Sequence, residues 1–174
     1  MKGGRATGLK AGSATGPDSF RVARPDDHAQ IDTLLRHAFP GPQEAALMHR
    51  LRAEGLVETE VVMAFEDAIV AHLALSWLVE PAGWLALAPV SVAPEWQGRG
   101  LGTRLVAGVL RLAAIKGQSV VVIGRASFYR RAGFSQDRAA RLLTPYPPAV
   151  TLLARPGEDV PDARVIYPDA FAQL

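Results

Sequence analysis

The segment Val92-Ala93-Pro94-Glu95-Trp96-Gln97-Gly98-Arg99-Gly100-Leu101-Gly102-Thr103 constrains this chain more than any other part of it. An apolar strand runs into it, glycines recur at every second position, and an amphipathic helix leaves it. Glycines so spaced let the backbone turn tightly and approach a ligand with no Cβ in the way, so that successive N–H groups converge on an anion. The helix that follows adds the positive end of its dipole. The layout is a phosphate cradle.

Two common cradles are excluded. A nucleotide-hydrolysing loop needs a Lys-Ser/Thr pair to reach the outer phosphates and magnesium, and this turn runs into Thr103-Arg104 instead. A dinucleotide fingerprint needs glycines spaced G-x-G-x-x-G, whereas here the third falls one residue early, at Gly102, and Thr103 holds the place.

At 174 residues and 49% apolar content, the chain suits one globular domain with a sizeable core. It has no cysteine, which excludes disulfides, thiolate metal sites and a cysteine nucleophile together. The pI near 9.3 suggests a polyanion partner, but 19 basic residues against 17 acidic ones leave a formal charge of only +2. Nucleic-acid binding is not expected on that balance. The longest apolar stretch, Trp84 to Ala93, is half the ~18 residues of a membrane span. No secretory signal precedes it, and a cytoplasmic protein with no membrane partner is expected.

Residues 1–19 are small, polar and patternless, and read as a flexible leader. Phe20-Arg21-Val22 reads as a first strand. Asp27 with Gln30 forms a predicted capping box for a helix carrying Ile31, Leu34, Leu35 and Ala38. A second helix spans about Gln43 to Glu54. Val57 to Phe65 and Ala68 to Val79 form a predicted hairpin, and Trp84 to Val92 a further strand in which Pro89 forces a bulge. Leu101, Leu105, Val109 and Leu112 trace the apolar face of a helix that ends near Lys116-Gly117. A buried strand at Ser119 to Ile123, a short helix over Ala126 to Ala132, a late strand from Phe134 and a last one over Ala149 to Ala154 complete an α/β order with a mixed sheet.

Gln97-x-x-Gly100-x-Gly102 after Val-x-Pro resembles the pyrophosphate-binding signature of the GCN5-related N-acetyltransferases (GNAT family). Phe128-Tyr129-Arg130-Arg131-Ala132-Gly133-Phe134 is similar to that family's aromatic-Tyr-x-x-x-Gly-Phe segment and lies in the expected place, after the strand that follows the cradle helix. With the element order, the resemblance covers residues 20–154 as an acetyltransferase domain, and residues 155–174 are expected to pack on it as a C-terminal extension. The strand Leu85 to Val92 and the closing Val165 to Phe171 look like the YhbS-like branch. The implied fold is a splayed central sheet flanked by helices.

The resemblance also implies a chemistry. Acyl transfer from a thioester to an amine must position the thioester, stabilise its oxygen, deprotonate the amine and protonate the departing thiolate. Val90, Ser91 and Val92 stand where the family's interrupted strand offers free backbone groups to the pantetheine arm. Gln97, Gly98, Arg99, Gly100, Leu101, Gly102 and Thr103 would hold the pyrophosphate, and Tyr129 matches the tyrosine that protonates the thiolate. A phenol with an ordinary pKa of about 10 suits that role at neutral pH.

Each residue has a plainer reading: Arg99 as a solvated loop charge, Tyr129 as a half-buried helix aromatic, Phe128 and Phe134 as core, Arg130 and Arg131 as surface charges. His28, His37, His49 and His72 show no metal-ligand spacing, so no metal is expected. Where the YhbS-like branch commonly has Gly-Asp-Pro, this chain has Gly124-Arg125-Ala126, which makes Arg125 a candidate reader of the acceptor. Glu44, Glu80 and Glu95 are available as a general base, and their spacing selects none.

The expected function is transfer of an acetyl group from acetyl-CoA to a primary amine, a small molecule or a peptide N-terminus or lysine, by direct attack in a ternary complex. The alternative is an acyl-CoA-binding sensor without turnover. A structural subunit, whose glycine turn is only a helix entry, is a third reading, and a homodimer is compatible with all three.

Overall fold

The computed structural model of the chain describes Pro17 and residues 19–172, so the leader expected over residues 1–19 lies almost wholly outside the described residues. Strand β1 (Arg21–Val22) leads to helices α1 (His28–Ala38) and α2 (Gln43–Ala53). Ile31, Leu34 and Leu35 are buried on α1, at the helical spacing that predicts it. The predicted capping box of Asp27 and Gln30 does not form. Asp27 instead accepts the Arg24 N–H at 2.7 Å and the Arg21 guanidinium at 2.6 Å, while Gln30 Oε1 accepts the Ile69 N–H at 3.1 Å. Asp27 is engaged by partners close to it in sequence, and a long-range partner has taken Gln30.

Strands β2 (Val57–Phe65), β3 (Ala68–Trp77) and β4 (Leu85–Val92) follow, then α3 (Leu101–Ile115), β5 (Val120–Ile123), α4 (Ala126–Ala132), β6 (Leu142–Leu143), β7 (Thr151–Ala154) and β8 (Ala163–Arg164). Six of them form one sheet in the order β1-β2-β3-β4-β5-β7. Within it only β4 and β5 run parallel. β3 ends two residues before its predicted limit because Val79 N–H turns away to Ile166 O at 2.9 Å.

The bulge that Pro89 predicts is present: Val90 lies opposite Leu73 and Leu87 opposite Leu75, so β4 uses three steps where β3 uses two. β4 also parts from β5. Their register covers only Leu85 with Val120 and Ala86 with Val121, and past the bulge that edge of β4 is open.

Three expectations need correction. Leu112, assigned to the apolar face of α3, is 45% exposed, because by the last turns that face has rotated to Val109 and Ala113. The late strand at Phe134 shrinks to one bridge, Ser135 with Leu153, before a 3-10 turn over Asp137–Ala139 lifts the chain off the sheet. β7 is not the last strand: β8 pairs in parallel with β6, Ile166 bridges Glu80, and the tail buries Ala170 and Phe171.

The sheet separates two helical layers. A Cβ on Gly102 of α3 would meet Val92 Cγ2 at 3.4 Å, so α3 covers the face that carries Val92. Ser91 points to the other face, with its cross-strand partner His72. His72 feels the charges of Arg52 on α2 and His28 on α1, which puts α1 and α2 on the Ser91 face.

Candidate active site

The backbone from Gly98 into α3 is shaped as the glycines predict, with a division of labour among them. Gly98 (φ 76°) and Gly100 (φ 78°) adopt the left-handed conformation that L side chains avoid. Gly102 is helical, and its missing side chain serves packing: a Cβ there would lie 3.2 Å from Cζ of Phe128. Gly100 caps α3 without any side-chain hydrogen bond, and the N–H groups of residues 98–103 donate to no group among the described residues. A row of unpaired donors at the positive end of a 15-residue helix has the geometry and polarity to receive an anion. Cβ atoms built on Gly98 and Gly100 meet nothing within 4 Å, so the space above the cradle is open.

Gln97 takes a bracing role. Its Nε2 donates to Val92 O at 3.0 Å, tying the cradle to the end of β4. Arg99 stacks its guanidinium 4.7 Å from the centroid of Trp96 and does not line the cavity described next.

An open cavity of about 700 Å³ joins the cradle to the parted strands. Val90, Ser91 and Val92 form one wall, Gln97, Gly98 and Gly100 to Thr103 the floor, and Tyr129 and Arg125 the far side. Ala38 and Phe39, at the end of α1, close it on the opposite face of the sheet. Ala93 N–H donates to Val70 O at 2.9 Å, and antiparallel alternation then pairs Ser91 with His72 and turns the backbone groups of Val90 and Val92 to the open edge. Of Val90, Ser91 and Val92, the first and last turn their backbone groups to the open edge, with Val92 O already accepting from Gln97, whereas Ser91 presents a buried hydroxyl with no hydrogen-bond partner among the described residues.

Tyr129 is held edge-on between Phe128 (centroids 4.9 Å apart) and Phe134 (5.6 Å). Burial pushes its phenol up to about 12, so it keeps its proton across the physiological range. Gly124 makes room for it, since a Cβ there would stand 2.6 Å from Tyr129 Cε2. The sequence marks Gly124 only as part of Gly124-Arg125-Ala126 and leaves Phe128 a core reading; the signal for both was a glycine just ahead of an aromatic helix.

The charge of the cavity is one-sided. Arg125 and Arg131 both line it, and neither guanidinium makes a hydrogen bond or ion pair with the described residues. Among the described residues no aspartate or glutamate lines it, and Glu44, Glu80 and Glu95, the candidate bases, are all elsewhere. Arg131, read as a surface charge, therefore shares the site with Arg125. Among the described residues no cluster of three or more His, Cys, Asp or Glu could hold a metal, and no helix is long and apolar enough to cross a membrane.

The family model of the acetyltransferase (GNAT) domain matches residues 57–136, from β2 through the cradle to just past α4. The uncharacterized N-acetyltransferase YhbS of Escherichia coli K12 is 33% identical over 120 residues, 66% of this chain and 72% of that protein. The chain belongs to the GNAT acetyltransferase family. The uncharacterized N-acetyltransferase YjhQ of the same strain is 47% identical over 124 residues, 67% of this chain and 68% of that protein. Among solved structures, Escherichia coli YhbS in complex with CoA superposes with a TM-score of 0.80 at 26% identity, covering 94% of this chain and 96% of that one. A GNAT acetyltransferase from Brucella melitensis in complex with acetyl-CoA gives 0.74 at 28% identity, covering 88% and 97%. The chain is thus an acetyl-CoA-dependent N-acetyltransferase by family, with the splayed mixed sheet that its sequence implies.

Proposed function

We propose that the chain transfers acetyl from acetyl-CoA to a primary amine by direct attack across the gap between β4 and β5. One observation carries this reading: unpaired cradle amides, the open backbone edge of Val90 and Val92, and the Tyr129 phenol all face one cavity. The amides of residues 98–103 take the pyrophosphate, with Thr103 beside them. Val90 and Val92 pair with the pantetheine amides as a neighbouring strand would, and an N–H on this edge meets the thioester oxygen as charge develops on it. Arg99, stacked on Trp96, shapes the loop from outside.

The sheet divides the two substrates. The thioester lies toward α3, and the amine comes from the α1 side past Phe39 and Ser91. Tyr129 gives its proton to the leaving sulfur; burial holds its phenol near 12, so the proton is in place when the thiolate departs. Arg125 and Arg131, with no acid opposite them, favour an acceptor that carries a carboxylate or phosphate beside its amine.

A second reading, acyl-CoA binding without turnover, is favoured by the lack of a carboxylate base in the cavity among the described residues. Thiol release from acetyl-CoA, measured over small amines, polyamines, acidic and neutral amino acids and peptides, decides between the two. Release with an acidic amino acid exceeding that with spermidine is the expected result. CoA binding with no release for any acceptor overturns transferase activity and leaves the sensor.

A further inference from the structure

The Ser91 face of the sheet carries a polar chain that the cradle and Tyr129 do not use. His72 is fully buried, with 0% exposure, in the centre of β3. Its Nε2 lies 2.8 Å from Glu60 Oε1 on β2, and Arg52 of α2 donates to the same carboxylate through Nη2 and Nε, at 2.5 and 3.1 Å. Burial would raise Glu60, yet the hydrogen bonds from His72 and Arg52 overcome it and hold the carboxyl down to about 2. An ionised carboxylate only accepts, so Nε2 carries the proton and Nδ1 is a bare lone pair. Among the described residues that Nδ1 has no partner, and neither has the hydroxyl of Ser91, the residue directly opposite on β4.

Two buried, unpartnered polar atoms on one cross-strand pair are costly unless they are used. Here one is an acceptor and the other a donor on facing residues of β3 and β4, and Ser91 lines the cavity on the side that the acyl-transfer reading assigns to the amine. We infer that Ser91 and His72 form the proton exit for the attacking amine: Ser91 Oγ takes the amine proton as its own passes to His72 Nδ1, and Glu60, braced by Arg52, stabilises the imidazolium that forms. This rests on the acyl-transfer reading and supplies the base that the cavity wall lacks.

The protons balance. The amine nitrogen forms its bond to the carbonyl carbon and loses one proton, the carbon–sulfur bond breaks, and the thiolate gains one proton from Tyr129. Exchange with solvent returns the His72 proton and restores the phenol. Desolvation lowers His72, against the opposing pull of Glu60, so its imidazole is neutral and receptive at neutral pH. The charged and titratable groups facing it are Glu60 from β2, Arg52 from α2 and His28 from α1. Ser91 touches the substrate; His72 acts through it, and Glu60 positions His72.

The test is steady-state kinetics on His72→Gln and Ser91→Ala, with thiol release from acetyl-CoA measured against the best amine of the panel and CoA affinity measured by calorimetry. Both variants should lose about 100-fold or more in kcat, the usual worth of a general base, with CoA affinity within about twofold. The wild-type kcat should fall on the acid side, below the usual imidazole range near pH 6.5, and that limb should vanish in His72→Gln. Ser91→Ala removes one atom, so it reports even if the buried histidine proves essential to folding. A folded Ser91→Ala protein with wild-type kcat and an unchanged acid limb overturns the relay while leaving acyl transfer standing. Wild-type protein that binds CoA and releases no thiol with any amine overturns acyl transfer itself, and the relay with it.

Discussion

Gly124 and Tyr129 are fitted to each other: a methyl group on the glycine would stand 2.6 Å from Cε2 of the ring. Gly124 N–H is also bonded to Val150 O at 2.9 Å, so the backbone has little freedom to retreat and the ring must move. Gly124→Ala should therefore displace the phenol with little damage elsewhere. Misplacement by about an ångström costs on the order of 100-fold in rate. The expected result is a kcat lowered by about 10-fold to 100-fold with CoA affinity retained; an unchanged kcat would show that the ring position is immaterial.

Gly100→Val tests the cradle. At φ 78° a β-branched residue is strained by about 1–2 kcal/mol, yet its Cβ meets nothing within 4 Å, so the fold should survive. The side chain projects where the pyrophosphate would approach the unpaired amides. Calorimetry should show CoA affinity reduced more than about tenfold, given the N-terminal donors lost to the ligand. Wild-type affinity in a folded variant would place the phosphates elsewhere.

Much of this site was readable because it is local. The glycine turn, the strand that Pro89 interrupts and the aromatic helix each need only a few consecutive residues to declare themselves. What stayed hidden is what the sheet brings together. Glu60, His72 and Ser91 stand on three different strands, and no spacing along the chain connects them. The Asp27 and Gln30 box failed because the nearby Arg21 and Arg24 took Asp27, while the Ile69 N–H, remote in sequence, took Gln30. The β8 pairing to β6 was missed because two-residue strands have no period to detect.

Acid should loosen the fold through the buried chain of Arg52, Glu60 and His72. Glu60 is held at about 2 in the folded protein, below its ordinary 4.5, so its stabilising contribution is complete above about pH 4.5 and is lost as pH falls toward 2. His72 is lowered by burial, so the unfolded chain takes up its proton first and stability begins to fall below about pH 6.5. The two effects have the same sign. Thermal melting should show Tm declining from about pH 6.5 downward, and the decline below pH 4.5 should flatten in Glu60→Gln; a variant with the wild-type slope would place the acid sensitivity in other carboxylates.

Arg125→Asp should invert acceptor preference. The substitution replaces an unpaired guanidinium on the cavity wall with a carboxylate, and a charge reversal changes both an attraction and a repulsion. Relative kcat/KM for spermidine over an acidic amino acid should rise by about tenfold or more, roughly one charge-assisted contact. An unaltered ratio would mean that Arg125 faces solvent or cofactor and does not read the acceptor.

Tyr129→Phe removes one hydroxyl and keeps the ring between Phe128 and Phe134, so packing and CoA binding should change little. If the phenol protonates the departing thiolate, its loss falls on a group used only in the transition state, and the effect appears in kcat more than in KM. Single-turnover measurement of thiol release isolates that chemical step from product release. Release slowed by about 100-fold or more is the predicted result; a folded Tyr129→Phe protein that binds CoA and releases thiol at the wild-type single-turnover rate would contradict it.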